Sequence, residues 1–493
     1  MIEVENLSVR YPSRDEYSIR NISFSVRKGE FIWLSGDSAS GKSTLMNCLC
    51  GFIPQIIPAE VEGTIKLNGR GGMNTLQLAR QISMVHQDPE SQFCTEHVED
   101  EIAFGLENRC ISRRKISKRI KTTLRDLNCS ELRHRKLSTL SGGEKQKIAI
   151  ASMLVLNPRV LILDEPTSNL DPESMEEVLR AIEEVRRKSK SLSLILAEHR
   201  VKRLVDYVDR VIRLESGELT EDFHSFQELT PQEKEKLSDY SYPDYKRGTK
   251  EKGRSVLKID KLDYTINGTE VLDNINLDVK QGEIIALMGK NGSGKTTLIK
   301  HISGLIEVQK GDIKVFQVNM NDSNRIPPWK LGKKIGYVFQ NPNHQLFENT
   351  VKGEMMFAPI NFSRGLKNTE KRLKDITKEP CVEETTHPHN LSFGQKRRLN
   401  VYSSSLHGPE VMIIDEPFSG QDHKNALLMA EIMDSFWRCG KTLIIVTHDS
   451  EFADKFCTRT VVMRDGKVVY DGVPDKAKHP EVKIDAKSNQ PGS

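Results

Sequence analysis

Two glycine loops carry the residue types that wrap a phosphate: Gly36-Asp37-Ser38-Ala39-Ser40-Gly41-Lys42-Ser43 and Gly289-Lys290-Asn291-Gly292-Ser293-Gly294-Lys295-Thr296. Glycine lets successive backbone amides face one anion, and a helix opening directly after the loop adds positive potential. Lys42 and Lys295 can then reach the β- and γ-phosphates of a nucleoside triphosphate. Ser43 and Thr296 can ligate Mg²⁺, with Thr44 and Thr297 following in the same turn. Two acidic pairs complete the chemistry, Asp164-Glu165-Pro166 and Asp415-Glu416-Pro417, each at the end of an apolar run. The first carboxylate of each pair suits water-mediated holding of Mg²⁺. The second is placed to polarise an attacking water.

The parts recur in register. The loop lysines lie 295 − 42 = 253 positions apart, and Gln87 and Gln340 repeat at 340 − 87 = 253. Asp164 and Asp415 repeat at 415 − 164 = 251, and His199 and His448 at 448 − 199 = 249. Ser141-Gly142-Gly143-Glu144 and Ser392-Phe393-Gly394-Gln395 each precede a helical pattern, which makes a helix cap or a further anion site. A duplicated order of parts constrains function more than any single motif does.

The elements that must hold these residues are strands alternating with helices. Phe31 to Ser35 and Ile284 to Met288 read as strands ending at the glycine loops. Ser43 to Cys50 and Thr296 to Ile302 read as the helices after them. Val160-Leu161-Ile162-Leu163 and Val411-Met412-Ile413-Ile414 read as buried parallel strands. The expected fold class is α/β, with phosphates at the carboxyl edge of a parallel sheet in each half.

A chain of 493 residues suits two domains. We expect one over 1–220, a linker over 221–255, a second domain over 256–475 and a polar tail over 476–493. The linker is rich in mixed charge, as in Glu233-Lys234-Glu235-Lys236, and reads as solvated chain. The balance of 73 basic and 69 acidic residues, 73 − 69 = +4, argues neither for nucleic acid nor for an acidic partner. Eight cysteines without a C-x-x-C pair read as reduced thiols of a cytosolic protein. No apolar run is long enough to cross a bilayer, and Met1-Ile2-Glu3-Val4-Glu5 is a strand pattern, not a signal peptide. Any membrane role is expected to come through a partner.

In this order the parts resemble the nucleotide-binding domain of ABC ATPases: glycine loop, Gln87, Leu140-Ser141-Gly142-Gly143-Glu144, Asp164-Glu165-Pro166, Ser168-Asn169-Leu170-Asp171 and His199. The resemblance covers both halves and leaves out only linker and tail. It implies ATP and Mg²⁺ as ligands and two domains paired head to tail, here an intramolecular pseudo-dimer. In that arrangement Gln87 and Gln340 sense Mg²⁺ and the attacking water, and His199 and His448 contact the γ-phosphate. Ser141, Gly142 and Gly143 meet the ATP held by the opposite half, as do Ser392, Gly394 and Gln395. Tyr11 falls where the family stacks an aromatic on adenine.

Two departures separate the copies. Phe393 stands where the pattern has glycine, so the ATP held by Lys42 is expected to turn over more slowly. Ile266 stands in the position of Tyr11, with Tyr264 two residues early on the same strand face. Ser419-Gly420-Gln421-Asp422 also departs from its Ser-x-Leu-Asp counterpart.

Gln87-Asp88-Pro89-Glu90-Ser91-Gln92-Phe93, with Val98 to Gly105, resembles the energy-coupling-factor importers of vitamins and of cobalt or nickel. Gln340 to Phe347, with Val351 to Phe357, echoes it. That resemblance implies an ATP-hydrolysing subunit at the cytoplasmic face of the cell membrane. Its partners would be a transmembrane coupling component and a substrate-binding component, with no nucleic acid. A soluble tandem ABC ATPase acting on ribosome or nucleic acid, and the ATPase of another ABC transporter subgroup, are the alternatives.

Overall fold

The computed structural model describes residues 1–12, 15–167, 170–198, 207–223, 242–243, 245, 253–320, 327–363, 370–371, 373–374, 376–377 and 382–474. The chain forms two compact units with the change-over at Tyr240 and Ser241.

In the first unit, β1 (Ile2–Arg10), β2 (Ile19–Val26) and β4 (Glu60–Leu67) form an antiparallel sheet in the order β2-β1-β4. A second sheet holds β5 (Ile82–Val85), β6 (Val160–Asp164), β7 (Ser193–Ala197), β3 (Phe31–Ser35), β8 (Arg210–Glu215) and β9 (Glu218–Phe223), in that spatial order. Its neighbours run parallel except for the β8–β9 hairpin.

Every residue of β3 is buried, which explains why its sequence is apolar without alternation. Its side chains nonetheless divide by the period of two. Phe31 and Trp33 enter the core shared with α3 (Val98–Glu107), α4 (Arg113–Asp126), α5 (Gly142–Leu154) and α6 (Pro172–Lys188). Ile32 and Leu34 enter the core shared with β1, β2 and α1 (Lys42–Leu49). The parallel sheet is thus sandwiched between a helical layer and the antiparallel sheet. Thr75–Leu78 forms the short helix α2.

The second unit repeats the plan. β10 (Ser255–Ile266), β11 (Thr269–Lys280), β13 (Lys310–Val315) and β14 (Val318–Asn319) form the sheet β11-β10-β13-β14. β15 (Ile335–Val338), β16 (Val411–Asp415), β17 (Thr442–Val446), β12 (Ile284–Met288), β18 (Arg459–Arg464) and β19 (Lys467–Gly472) form the other, again with the loop-bearing strand in the interior. The strand order reverses around β3 and around β12, and the carboxyl ends of parallel strands at such a point form a ligand crevice.

The expected linker is partly structured. Residues 221–223 end β9, Ser255 opens β10, and Tyr242 is buried against Phe418 and Phe452 at centroid distances of 5.6 and 5.3 Å. Most of the remaining linker and the tail from 476 on lie outside the described residues. No helix among the described residues is long and apolar enough to cross a membrane.

Candidate functional site

The glycine loops sit where the crevice predicts. The first joins β3 to α1 and the second joins β12 to the helix Lys295–Ile302. Lys42 is buried, and its ammonium donates to the carbonyl oxygens of Gly36 and Asp37, both at 2.8 Å. Burial lowers its pKa, with Glu165 and Asp164 pulling the other way. Lys295 repeats the arrangement, donating to the carbonyls of Gly289 and Lys290. Both ammonium groups are thus held at the mouth of the loop by backbone carbonyls, with carboxylates of the acidic pair near enough to act on their charge.

The hydroxyls of Ser40 and Ser293 are buried inside the loops with no hydrogen-bond partner among the described residues. Orphaned donors within a phosphate-shaped turn fit a triphosphate. At the next-but-two position before each lysine the copies differ: Ala39 has φ 64° where Gly292 has φ 80°, so the left-handed turn is kept without glycine in the first loop.

The acidic pairs end β6 and β16 beside the loops. Ser43 Oγ lies 3.4 Å from Asp164 Oδ2, and Thr296 hydrogen-bonds Asp415. Burial raises the Asp415 carboxyl to about 6, against the pull of Lys295. Hydroxyl and carboxylate therefore face each other in both copies, the donor set that holds a hydrated Mg²⁺ on a nucleotide.

Glu165 and Glu416 share a backbone feature that the sequence did not reveal. Their φ values are 45° and 48°, in the left-handed region, although each precedes a proline. Their amides donate to Ala197 O at 2.9 Å and Val446 O at 3.0 Å, which pins the turn to the neighbouring strand. The same left-handed turn thus recurs at the same position in both units.

Each glutamate has a different partner. Gln87 Nε2 donates to Glu165 Oε2 at 2.9 Å. His448 Nε2 lies 3.0 Å from Glu416 Oε1, with both side chains largely buried. In the second unit Asn291, Lys295, Thr296, Gln340, Asp415 and Glu416 line one cavity of about 170 Å³. His199 lies outside the described residues, as do Ser168 and Asn169; Trp33 Nε1 donates to the carbonyl of Glu198, the residue before His199, at 3.0 Å.

Ser141 and Ser392 cap their helices. Each side chain accepts from the backbone of the residue three ahead, Glu144 or Gln395, whose side chain returns the bond. Gly142 and Gly143 form the first turn of α5, and Phe393 and Gly394 that of the second helix. Phe393 turns back on its own helix, with its ring 5.0 Å from the Arg397 guanidinium carbon.

Tyr11 OH lies 3.2 Å from Thr44 Oγ1, beside the first loop. Tyr264, partly buried, packs edge-on to His301 at 4.6 Å and against the core, while Ile266 is exposed. No aromatic therefore replaces Tyr11 at Ile266.

The segments after Gln87 and Gln340 are each anchored by a buried carboxylate that sequence reasoning missed. Glu101 Oε2 accepts from Cys94 N at 2.9 Å and from Thr95 N and Oγ1 at 3.0 Å. Glu354 Oε2 accepts from Phe347 N at 3.1 Å and Glu348 N at 3.0 Å. The signal was available: Glu101 and Glu354 repeat at 354 − 101 = 253. Beside these anchors Phe104, Phe347, Phe357 and Ile360 are exposed, and Phe347 meets Phe357 at 4.6 Å.

Comparison with known proteins agrees with this geometry. The family model described as ABC transporter matches residues 19–168 and 272–419. Both matches carry a glycine loop and an acidic pair, so the chain belongs to the ABC transporter family as an ATP-binding, ATP-hydrolysing subunit with two tandem nucleotide-binding domains. It is 34% identical over 504 residues to a chain of Saccharolobus solfataricus named as an ABC transporter ATP-binding protein, covering 96% of this chain and 94% of the relative. A chain of Caldanaerobacter subterraneus subsp. tengcongensis with the same kind of name is 33% identical over 532 residues, covering 97% and 93%. The archaeal ribosome recycling factor, solved in complex with a ribosomal stalk protein, shares the fold with a TM-score of 0.61 at 18% identity, over 95% of this chain and 90% of that one.

Proposed function

We propose that this chain is the energy-coupling ATPase of a membrane importer of the energy-coupling-factor type, serving uptake of a vitamin or a transition-metal ion. The observation that carries the reading is the paired segment after each catalytic-site glutamine. In both copies it starts at a residue beside the acidic-pair glutamate or its cavity and is fixed by a buried glutamate; it ends at exposed Phe104 in the first and among exposed Phe347 and Phe357 in the second. Such a segment can pass a change at the γ-phosphate to a docked membrane helix. Exposed Phe347 and Phe357 give that helix an apolar seat.

In this reading Lys42 and Lys295 bind the β- and γ-phosphates, and the loop amides orient them. Mg²⁺, held by Ser43 and Thr296 with Asp164 and Asp415 behind water, neutralises phosphate charge when bound. Glu165 and Glu416 orient and deprotonate the attacking water, with Gln87, Gln340, His448 and His199 around it. The two units close over ATP, each site completed by the Ser141 or Ser392 segment of the other, and reopen after hydrolysis. The protein works at the cytoplasmic face of the membrane through integral membrane partners.

The test has two arms. The tagged full chain, purified from gently solubilised membranes, should bring integral membrane proteins with it; salt-sensitive co-purification of ribosomes instead would refute the importer assignment. A double Glu165→Gln, Glu416→Gln variant should bind ATP and abolish uptake, and retained uptake would refute the mechanism.

A further inference from the structure

A cavity of the first unit lies away from the nucleotide loops. It encloses about 500 Å³ between one stripe of α4 and the carboxyl ends of α5 and α6. The stripe is Lys115, Lys118, Arg119, Thr122 and Asp126, at helical spacing, while Ile116, Ile120 and Leu124 of the same helix face the core. Leu154, Val155, Val185 and Leu192 give the cavity an apolar floor.

The charge is one-sided. Asp126 is engaged by Lys188 at 2.8 Å. Lys115, Lys118 and Arg119 make no ion pair with any carboxylate among the described residues, and Arg119 reaches only the Val155 carbonyl, at 3.5 Å. The first turn of α4 also carries Arg113, Arg114 and Lys115 and no acid, against the helix dipole. A cavity of this size with a cationic wall and an apolar floor suits a mononucleotide-sized ligand.

We propose that this cleft is an effector site for a small soluble phosphorylated compound with an apolar or aromatic body. The two helices that end in it are those that begin at the Ser141 cap and at Asp171. Near their starts they touch closely, since a Cβ on Gly143 would lie 2.9 Å from Ser174 Cβ. A ligand wedged between their far ends would therefore shift the Ser141 segment, about 20 Å away along α5. This regulatory half rests on the role proposed for Ser141; binding to the cleft does not.

The test uses the full chain with its nucleotide sites filled by a non-hydrolysable ATP analogue and Mg²⁺. Titration with 8-anilino-1-naphthalenesulfonate should show a saturable site, displaced by pyridoxal 5′-phosphate. Lys115→Glu with Lys118→Glu, both exposed, should weaken binding at least tenfold, and the Lys→Arg pair should restore it. Unchanged binding in the Glu pair would overturn the site, and displacement by phosphatidylglycerol vesicles alone would overturn the soluble ligand. With ATP in place of the analogue, pyridoxal 5′-phosphate should change turnover at least twofold in the native chain and leave the Glu pair unaffected. Equal response in both chains would overturn the effector role.

Discussion

The guanidinium of Arg397 donates to the backbone carbonyl of Glu416, the residue held in left-handed conformation at the end of β16. Its second nitrogen donates to the carbonyl of Gln340 at 2.9 Å. One buried side chain on the helix that Ser392 caps thus braces the backbone of both Glu416 and Gln340 in the same unit. At the matching position of the first unit, 397 − 251 = 146, stands Gln146, buried and with Nε2 unpartnered among the described residues. Burial holds the Arg397 pKa down at about 10, with Glu416 and Asp415 opposing. Arg397→Met should destabilise the second unit by about 2–4 kcal/mol, because two carbonyls lose their donor in a buried site. Turnover measured with Glu165→Gln silencing the first unit should fall at least tenfold. A loss of stability with unchanged turnover would show bracing without positioning.

Phe393 takes the place of Gly142 in the first turn of its helix. In the closed arrangement proposed above, that turn approaches the ATP held by Lys42. With Glu416→Gln silencing the other site, Phe393→Gly should raise single-site turnover several-fold. Steady-state ATPase assays with and without the substitution check this, and the Lys295 site should not respond.

Two glycines of the second loop predict opposite tolerance for alanine. A Cβ on Gly292 meets nothing within 4 Å, so Gly292→Ala adds only left-handed strain, as Ala39 already does, and should cost about 1 kcal/mol. A Cβ on Gly289 would lie 2.2 Å from Met463 O, a backbone atom that cannot step aside. Gly289→Ala should therefore abolish ATP binding at that loop. Calorimetric titration of each variant, in a Lys42→Ala background, separates the two outcomes.

Glu354→Ala leaves Phe347 N and Glu348 N without their buried acceptor. Basal turnover should stay within about twofold, because the carboxylate does not line the nucleotide cavity. Stimulation by reconstituted membrane partners should be lost. Loss of basal turnover with stimulation intact would contradict the relay.

Much of this site was legible because its parts are contiguous. The loop strands Phe31–Ser35 and Ile284–Met288 fall where the apolar runs placed them, since a central parallel strand is buried on both faces. Both acidic pairs sit at the ends of the predicted strands, each one residue longer than its apolar run. What sequence could not supply were contacts between distant segments. Arg397 is one of three adjacent cations, Lys396-Arg397-Arg398, and nothing in that run shows that the fold buries it against the carbonyls of Glu416 and Gln340. Glu101 and Glu354 read as ordinary first-turn acids until the preceding loop wraps onto them. Tyr264 was ambiguous for the same reason, and His301 resolves it.

The left-handed glutamates have a consequence for how the molecule opens. A strained residue releases its strain when its amide bond to the next strand breaks, so that break is easier than at its neighbours by about 1–3 kcal/mol, even where a side chain such as Arg397 still holds its carbonyl. The Glu165 and Glu416 amides should then be the first to exchange with deuterium along β6 and β16. A nucleotide-facing edge that loosens before its own scaffold would let spent nucleotide leave while both sheets stay folded.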